Sequence, residues 1–266
     1  MSVLEGINSK ALKTGNAGKN LKFKKIGDLP PPSPSPNTFR IYSMRFCPAA
    51  QRALIYASVK KIPSEVININ LQQKPDWYFT KNYKGQVPTL EHAEGKKLVI
   101  ESAVIPEYLD DIFPETKILP SDPYEKVQQK LLLERLSDQL TPAFGRVFRA
   151  IKNPEELKEK FESILKAFEE AESLLEGAFY SGTSSPGFVD YLIYPSFQRV
   201  YWLTFLLEIF PLPSDNFPGP GYPKLSQWFK AITAIPEVAA ASQSTENGVG
   251  SCKEYMKGLP YFDYGL

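Results

Sequence analysis

The hydrophobic pattern of this chain is mixed in its first half and purely helical in its second, and that division limits the possible folds more than any other feature. From Phe39 to Phe113 it switches back and forth between alternation and helical spacing. Phe39–Tyr42 reads as a strand, and a helix begins near Cys47 with Pro48 in its first turn, where a missing N–H costs nothing. Ser64–Leu71 alternates and is β-branched, so it reads as a second strand. Residues 75–82 form a short helix by the same reasoning. Pro88–Glu91 and Lys97–Ile100 flank Gly95 as a hairpin, and a helix runs from Glu101 or Ser102 to Phe113. The order β-α-β-α-β-β-α is thus complete within about 80 residues. Phe113–Pro123 is rich in proline and reads as a linker. Beyond it, Tyr124–Ala150, Pro154–Leu175, Phe188–Leu207 and Pro223–Ile235 are all periodic at helical spacing. The pattern predicts a small α/β domain over 38–118 followed by an all-helical domain over 124–266.

Residues 1–37 differ from both. They are Lys-rich, dotted with Gly and Asn, and end in Leu29-Pro-Pro-Pro-Ser-Pro-Ser-Pro-Asn37. Such a run forms neither helix nor central strand, so a flexible extension closed by a polyproline-like spacer is expected. Either a variable tail or a docking segment fits this composition.

Composition removes several classes of function. A net charge of +1 gives no reason to expect nucleic acid as a partner. Two cysteines in 266 residues do not make a secreted disulfide scaffold. The single His92 beside two cysteines leaves no zinc cluster, and no haem or iron–sulfur ligand set is present, so no metal is expected. No stretch approaches the roughly 20 apolar residues of a membrane helix, which argues against stable membrane association. The N-terminus has no apolar signal core, and the expected compartment is the reducing cytoplasm.

The chemistry points to Cys47, where a strand gives way to a helix. The free N–H groups and positive dipole end of a helix stabilise a thiolate over a thiol. Arg45 and Arg52 can add positive field. The run Cys47-Pro-Ala-Ala50 holds one thiol, since Ala50 stands where a dithiol motif has its second cysteine. A lone thiolate can attack a disulfide but needs an external thiol to resolve the product, and glutathione is the abundant one. Val87-Pro88 precedes a strand. Either it is an ordinary strand-opening proline or a cis bond presents Val87's backbone to an extended peptide. Glu101-Ser102 either caps a helix or binds the charged end of a ligand there.

Several blocks carry a specific resemblance. These are Arg40-Ile-Tyr-Ser-Met-Arg-Phe-Cys-Pro-Ala-Ala-Gln-Arg52, Glu65–Leu71, Lys74-Pro-Asp-Trp77, Gly85-Gln-Val-Pro-Thr-Leu90, Glu101-Ser-Ala103 and Leu119–Glu125. Asp190–Pro195 and Asp263-Tyr-Gly-Leu266 continue the match. From about Phe39 to the C-terminus the chain resembles an omega-class glutathione transferase. The resemblance implies a thioredoxin-like N-terminal domain, a helical C-terminal domain carrying the second-substrate pocket, and usually a homodimer. It implies thiol transfer with glutathione as co-substrate, dehydroascorbate reduction, and reduction of methylated arsenic species. Carried over by position, Cys47 forms a mixed disulfide with glutathione. Val87, followed by Pro88, pairs with the cysteinyl part, and Glu101 and Ser102 hold the γ-glutamyl end. Lys74 meets the glycyl carboxylate with Leu71 nearby. Arg199 and Tyr255 match positions near the second-substrate pocket.

Three positions depart from the family pattern. Ala49 replaces a common Phe, Gly187 replaces a Ser cap three residues before Asp190, and Glu246–Cys252 is glycine-rich and lacks a tryptophan. Two other readings share the fold: a chloride-intracellular-channel-like protein, and a glutathione-binding protein without turnover. Asp190 is expected to serve folding, and Cys252 to be a bystander thiol.

Overall fold

The computed structural model describes residues 22–92, 94–208, 210–259 and 261–266. The chain divides into two compact units. The first comprises Met1–Thr116, Pro236–Asn247 and Pro260–Leu266, and the second Lys117–Ile235 and Gly248–Leu259.

The first unit is built on a four-stranded sheet in the order β2-β1-β3-β4. β1 (Phe39–Ser43) pairs parallel with β2 (Ser64–Asn68) and antiparallel with β3 (Thr89–His92), which pairs antiparallel with β4 (Lys97–Ile100). Parallel neighbours need a crossover, and α1 (Pro48–Val59) supplies it. All five residues of β1 are buried, as expected of a strand covered on both faces. α2 (Val104–Ile112) buries Ile105 and Leu109. It is tied to α1 by Asp110, which accepts from Tyr56 Oη at 2.7 Å and from Lys60 Nζ at 2.8 Å.

Under the sheet's paired strands lies a buried carboxylate. Glu91, fully buried on β3, accepts from Tyr42 Oη at 2.6 Å and Arg40 Nη1 at 3.2 Å, and pairs with Lys81. Burial alone would raise its pKa; the bonds from Lys81 and Tyr42 and the nearby cations outweigh this and hold it below the ordinary glutamate range.

The ends of the chain add to this unit in a way the sequence did not suggest. Residues 22–37, expected as part of a flexible extension, are laid along it; residues 1–21 lie outside the described residues. Phe23 is buried edge-on to Phe262, and its N–H donates to Asp263 Oδ1 at 3.2 Å. Lys24 bridges Ile69 in parallel, and Trp77 Nε1 donates to the Asp28 carbonyl at 2.9 Å. Arg40 Nη2 donates to the Pro32 carbonyl at 2.7 Å. Backbone groups and one aromatic anchor, not a periodic side-chain pattern, do this work. The expected helical block 124–266 is likewise interrupted. α7 (Pro236–Ala240) packs on α1, and Arg45 Nη1 donates to the Tyr264 carbonyl at 2.7 Å.

The second unit packs α3 (Pro123–Ala150), α4 (Pro154–Leu174), α5 (Phe188–Leu206) and α6 (Pro223–Thr233). α8 (Thr245–Met256) contributes its residues from Gly248 onward. Asp122 caps α3 by accepting from the N–H groups of Tyr124 and Glu125, and Asn153 caps α4. The core is aromatic: Phe168, Phe197 and Trp228 meet edge-on, with ring centroids 4.9 Å apart for the first pair and 4.8 Å for the second. Asp190 is the polar knot of this unit. It accepts from the N–H groups of Tyr180, Gly187 and Ser181 and from Trp228 Nε1, three of these at 2.8 Å and Ser181 at 3.2 Å. Burial pushes its carboxyl upward against those bonds. Gly187 is more than a weaker cap, because a Cβ there would come 2.8 Å from the Ser181 Cβ.

Candidate active site

Cys47 stands at the N-cap of α1, in extended conformation with φ −81° and ψ 119°. Its N–H donates to the Met44 carbonyl at 2.8 Å, and its carbonyl opens the helix by accepting from Gln51 N at 3.1 Å. Pro48 fills the first helical position. The N–H groups of the first turn, which have no partners within the helix, lie beside the cysteine, which is half-buried.

A cleft of about 340 Å³ opens at this point. It is lined by Cys47 and by Leu71, Lys74, Val87, Pro88, Glu101 and Ser102, the positions singled out in the first unit from sequence. Ala49 forms part of the wall next to the cysteine, leaving open space where a larger side chain would reach. Asn82, Gly85 and Gln86 complete it and were not anticipated. Glycine suits Gly85's position: its φ is +60°, and a Cβ would fall 2.6 Å from the exposed Phe79 ring, which would have to move.

Each wall has a local cause. The strand expected over Ser64–Leu71 stops at Asn68, because Asn70 turns the chain by accepting on Oδ1 from Gln72 N and Gln73 N, both at 3.0 Å. That turn delivers Leu71 and Lys74. The Val87-Pro88 bond is cis. Among the described residues neither the N–H nor the C=O of Val87 has a hydrogen-bond partner. Glu101 and Ser102 are not caps, since the N-cap of α2 is Ala103 and neither side chain closes the helix. Glu101 has φ +76°, a left-handed turn that delays the helix to Val104, and its carboxylate accepts from Lys84 Nζ at 2.6 Å. The Ser102 hydroxyl accepts from Arg52 Nη1 at 3.3 Å.

The two arginines expected to charge the site part company. Arg45 spends its guanidinium on the Tyr264 and Phe262 carbonyls and on Gln243. Arg52 remains: it is 7 % exposed, and burial lowers its pKa to about 10, opposed by the charge of Cys47. A buried positive charge coupled to this sulfur is the kind of neighbour that suits an anion there.

Arg199 and Tyr255 line no part of this cleft. Arg199 is buried on α5, donating to Gln198 Oε1 at 2.9 Å and stacked over Trp202 at 4.3 Å. Tyr255 is half-exposed against Phe148, with centroids 5.6 Å apart. Cys252 is buried, and burial pushes its thiol up to about 12. His92 is half-buried, stacked on Phe39 and bonded to Tyr108 Oη at 2.7 Å, away from the cleft lining. Among the described residues no group of three His, Cys, Asp or Glu is placed to hold a metal ion, and no helix is long and apolar enough to cross a membrane.

Known proteins share this arrangement. The glutathione S-transferase N-terminal domain family matches residues 41–117, and the corresponding C-terminal domain family matches 136–236. A probable glutathione transferase omega-2 of Caenorhabditis briggsae is 60% identical over 266 residues, all of both chains. Glutathione transferase omega-1 of Caenorhabditis elegans is 42% identical over 254 residues, 95% of each chain. Pig glutathione S-transferase omega-1 is 40% identical over 240 residues, 89% of this chain and 94% of its own. Among solved structures, glutathione transferase Omega 3C of Trametes versicolor superimposes with TM-score 0.68 at 24% identity, covering 85% of this chain and 92% of that one. A rice glutathione transferase in complex with glutathione gives TM-score 0.73 at 21% identity, over 84% and 98%. These two likenesses carry the fold alone; the sequence relatives carry the class. The chain belongs to the omega class of glutathione transferases.

Proposed function

We propose that this enzyme is a glutathione-dependent thiol transferase and dehydroascorbate reductase working through a single cysteine. The observation that carries the reading is the convergence of the Cys47 helix cap with Leu71, Lys74, Val87, Glu101 and Ser102 on one cleft. The partners are complementary to a tripeptide with an ammonium at one end and a carboxylate at each. Lys74 faces the glycyl carboxylate, and the unpaired Val87 backbone pairs with the cysteinyl residue. Ser102 and the start of α2 take the γ-glutamyl carboxylate, and Glu101 takes the ammonium in exchange with Lys84.

In the first step the Cys47 thiolate attacks the glutathionyl sulfur of a mixed disulfide. The S–S bond breaks, the substrate sulfur leaves as a thiolate and takes a proton, and Cys47 becomes glutathionylated. In the second, a glutathione thiolate attacks that disulfide, releasing glutathione disulfide and restoring the Cys47 thiolate. Net, the mixed disulfide and one free glutathione become a thiol and glutathione disulfide; a substrate that carries no glutathionyl group takes two electrons from two glutathiones. Dehydroascorbate takes the same two electrons, and methylated arsenic species are further oxidised substrates of this kind. Arg199 and Tyr255 belong to the second-substrate pocket in this reading, and the working form is a cytoplasmic homodimer.

The test is glutathione-dependent reduction of a small mixed disulfide and of dehydroascorbate, with wild type and Cys47→Ser. The proposal requires turnover of both by wild type and of neither by the variant. Glutathione binding without turnover by wild type contradicts it.

A further inference from the structure

Asn82 is the cleft residue that no sequence signal marked. It is 3 % exposed, and its side-chain amide is fully engaged. Nδ2 donates to the Gln86 carbonyl at 2.9 Å and to Thr89 Oγ1 at 3.1 Å, while Oδ1 accepts from Lys84 N at 3.0 Å. Tyr78, wholly buried, converges on the same acceptors: Oη donates to the Gln86 carbonyl at 2.7 Å and lies 3.1 Å from Thr89 Oγ1. Burial pushes the Tyr78 phenol above its ordinary value, so it stays a protonated donor at any working pH.

Two donors therefore hold one carbonyl oxygen. That oxygen and the Val87 N–H belong to the same planar trans peptide, in which C=O and N–H point in opposite directions. Fixing the Gln86 oxygen from one side fixes the direction of the Val87 N–H on the other. That N–H has no partner among the described residues, and Val87 lines the cleft.

We propose that Asn82 and Tyr78 are positioning residues that aim the Val87 N–H at the peptide backbone of the thiol substrate. They set affinity for a peptide thiol and leave the reactivity of Cys47 untouched. The inference rests on the glutathione reading of the cleft. A thiol without a peptide backbone does not use the Val87 N–H and is indifferent to these residues.

The experiment compares wild type, Asn82→Ala and Tyr78→Phe in reducing a small disulfide, with glutathione or 2-mercaptoethanol as the reductant. Losing one such hydrogen bond should raise KM for glutathione about three- to tenfold, with kcat changed less than about twofold. The rate with 2-mercaptoethanol should match wild type. An unchanged KM in both variants, or equal losses with both reductants, overturns the inference. If Asn82→Ala does not fold, Tyr78→Phe carries the test, since it keeps the ring and the second donor. Wild type that ignores glutathione overturns the cleft reading and this inference together; wild type that saturates with glutathione while the variants match it overturns this inference alone.

Discussion

Arg52 donates to the Ser102 hydroxyl at 3.3 Å while its buried charge couples to Cys47. One guanidinium on α1 therefore touches the residue assigned to the far end of the ligand and places a buried positive charge in the field of the residue assigned to the chemistry. A buried cation beside a thiolate is screened little by solvent, so its removal is felt directly.

Arg52→Met should move the pH midpoint of Cys47 alkylation by iodoacetamide upward, because a cation favouring the thiolate is gone. Arg52→Lys keeps the charge and should stay close to wild type. A midpoint unmoved in Arg52→Met contradicts the coupling.

The two thiols should differ sharply in reactivity. Cys47 is half-buried at a cleft, whereas Cys252 is buried and its thiol is pushed up to about 12. Native protein should react with one equivalent of a disulfide reagent and denatured protein with two. Two fast equivalents in the native state would contradict the burial of Cys252.

Asp190 accepts four hydrogen bonds inside the helical unit. Asp190→Ala leaves those donors buried without acceptors, at a cost of about 3–5 kcal/mol. Chemical denaturation should show a loss of that size or failure to fold. A change below about 1 kcal/mol would mean that the donors find other acceptors.

Glu91 has its pKa held below the ordinary value, so its ionised form is favoured by folding. That contribution is complete above the unfolded value of about 4.3 and is lost as pH falls through the lower folded value. Wild type should be more stable than Glu91→Gln at neutral pH, with the gap narrowing below about pH 4. A gap that is constant with pH would show that charge is not its source.

Much of this was legible in the sequence because it is periodic or local. Alternation located the strands, helical spacing located α1 to α6, and the six predicted cleft positions of the first unit fall on one lining with Cys47. What was not legible depends on tertiary contacts. α8 carries Gly248 and Gly250, which weaken a helix by propensity. Gly248 lies against the Trp202 ring, where any Cβ would collide, so the glycine serves close packing. Residues 22–37 looked unstructured because backbone carbonyls and Phe23 dock them, and neither leaves a pattern. Asn82 sits in a loop, where its three side-chain hydrogen bonds have no sequence period.

The central claim is that Cys47 alone carries the glutathionyl group, and intact-protein mass spectrometry after reaction with glutathione disulfide tests it most directly. Wild type should gain one glutathionyl group, mapped to Cys47 and removed by excess glutathione, while Cys47→Ser gains none. A glutathionyl group on Cys252, or none on wild type, would contradict the account.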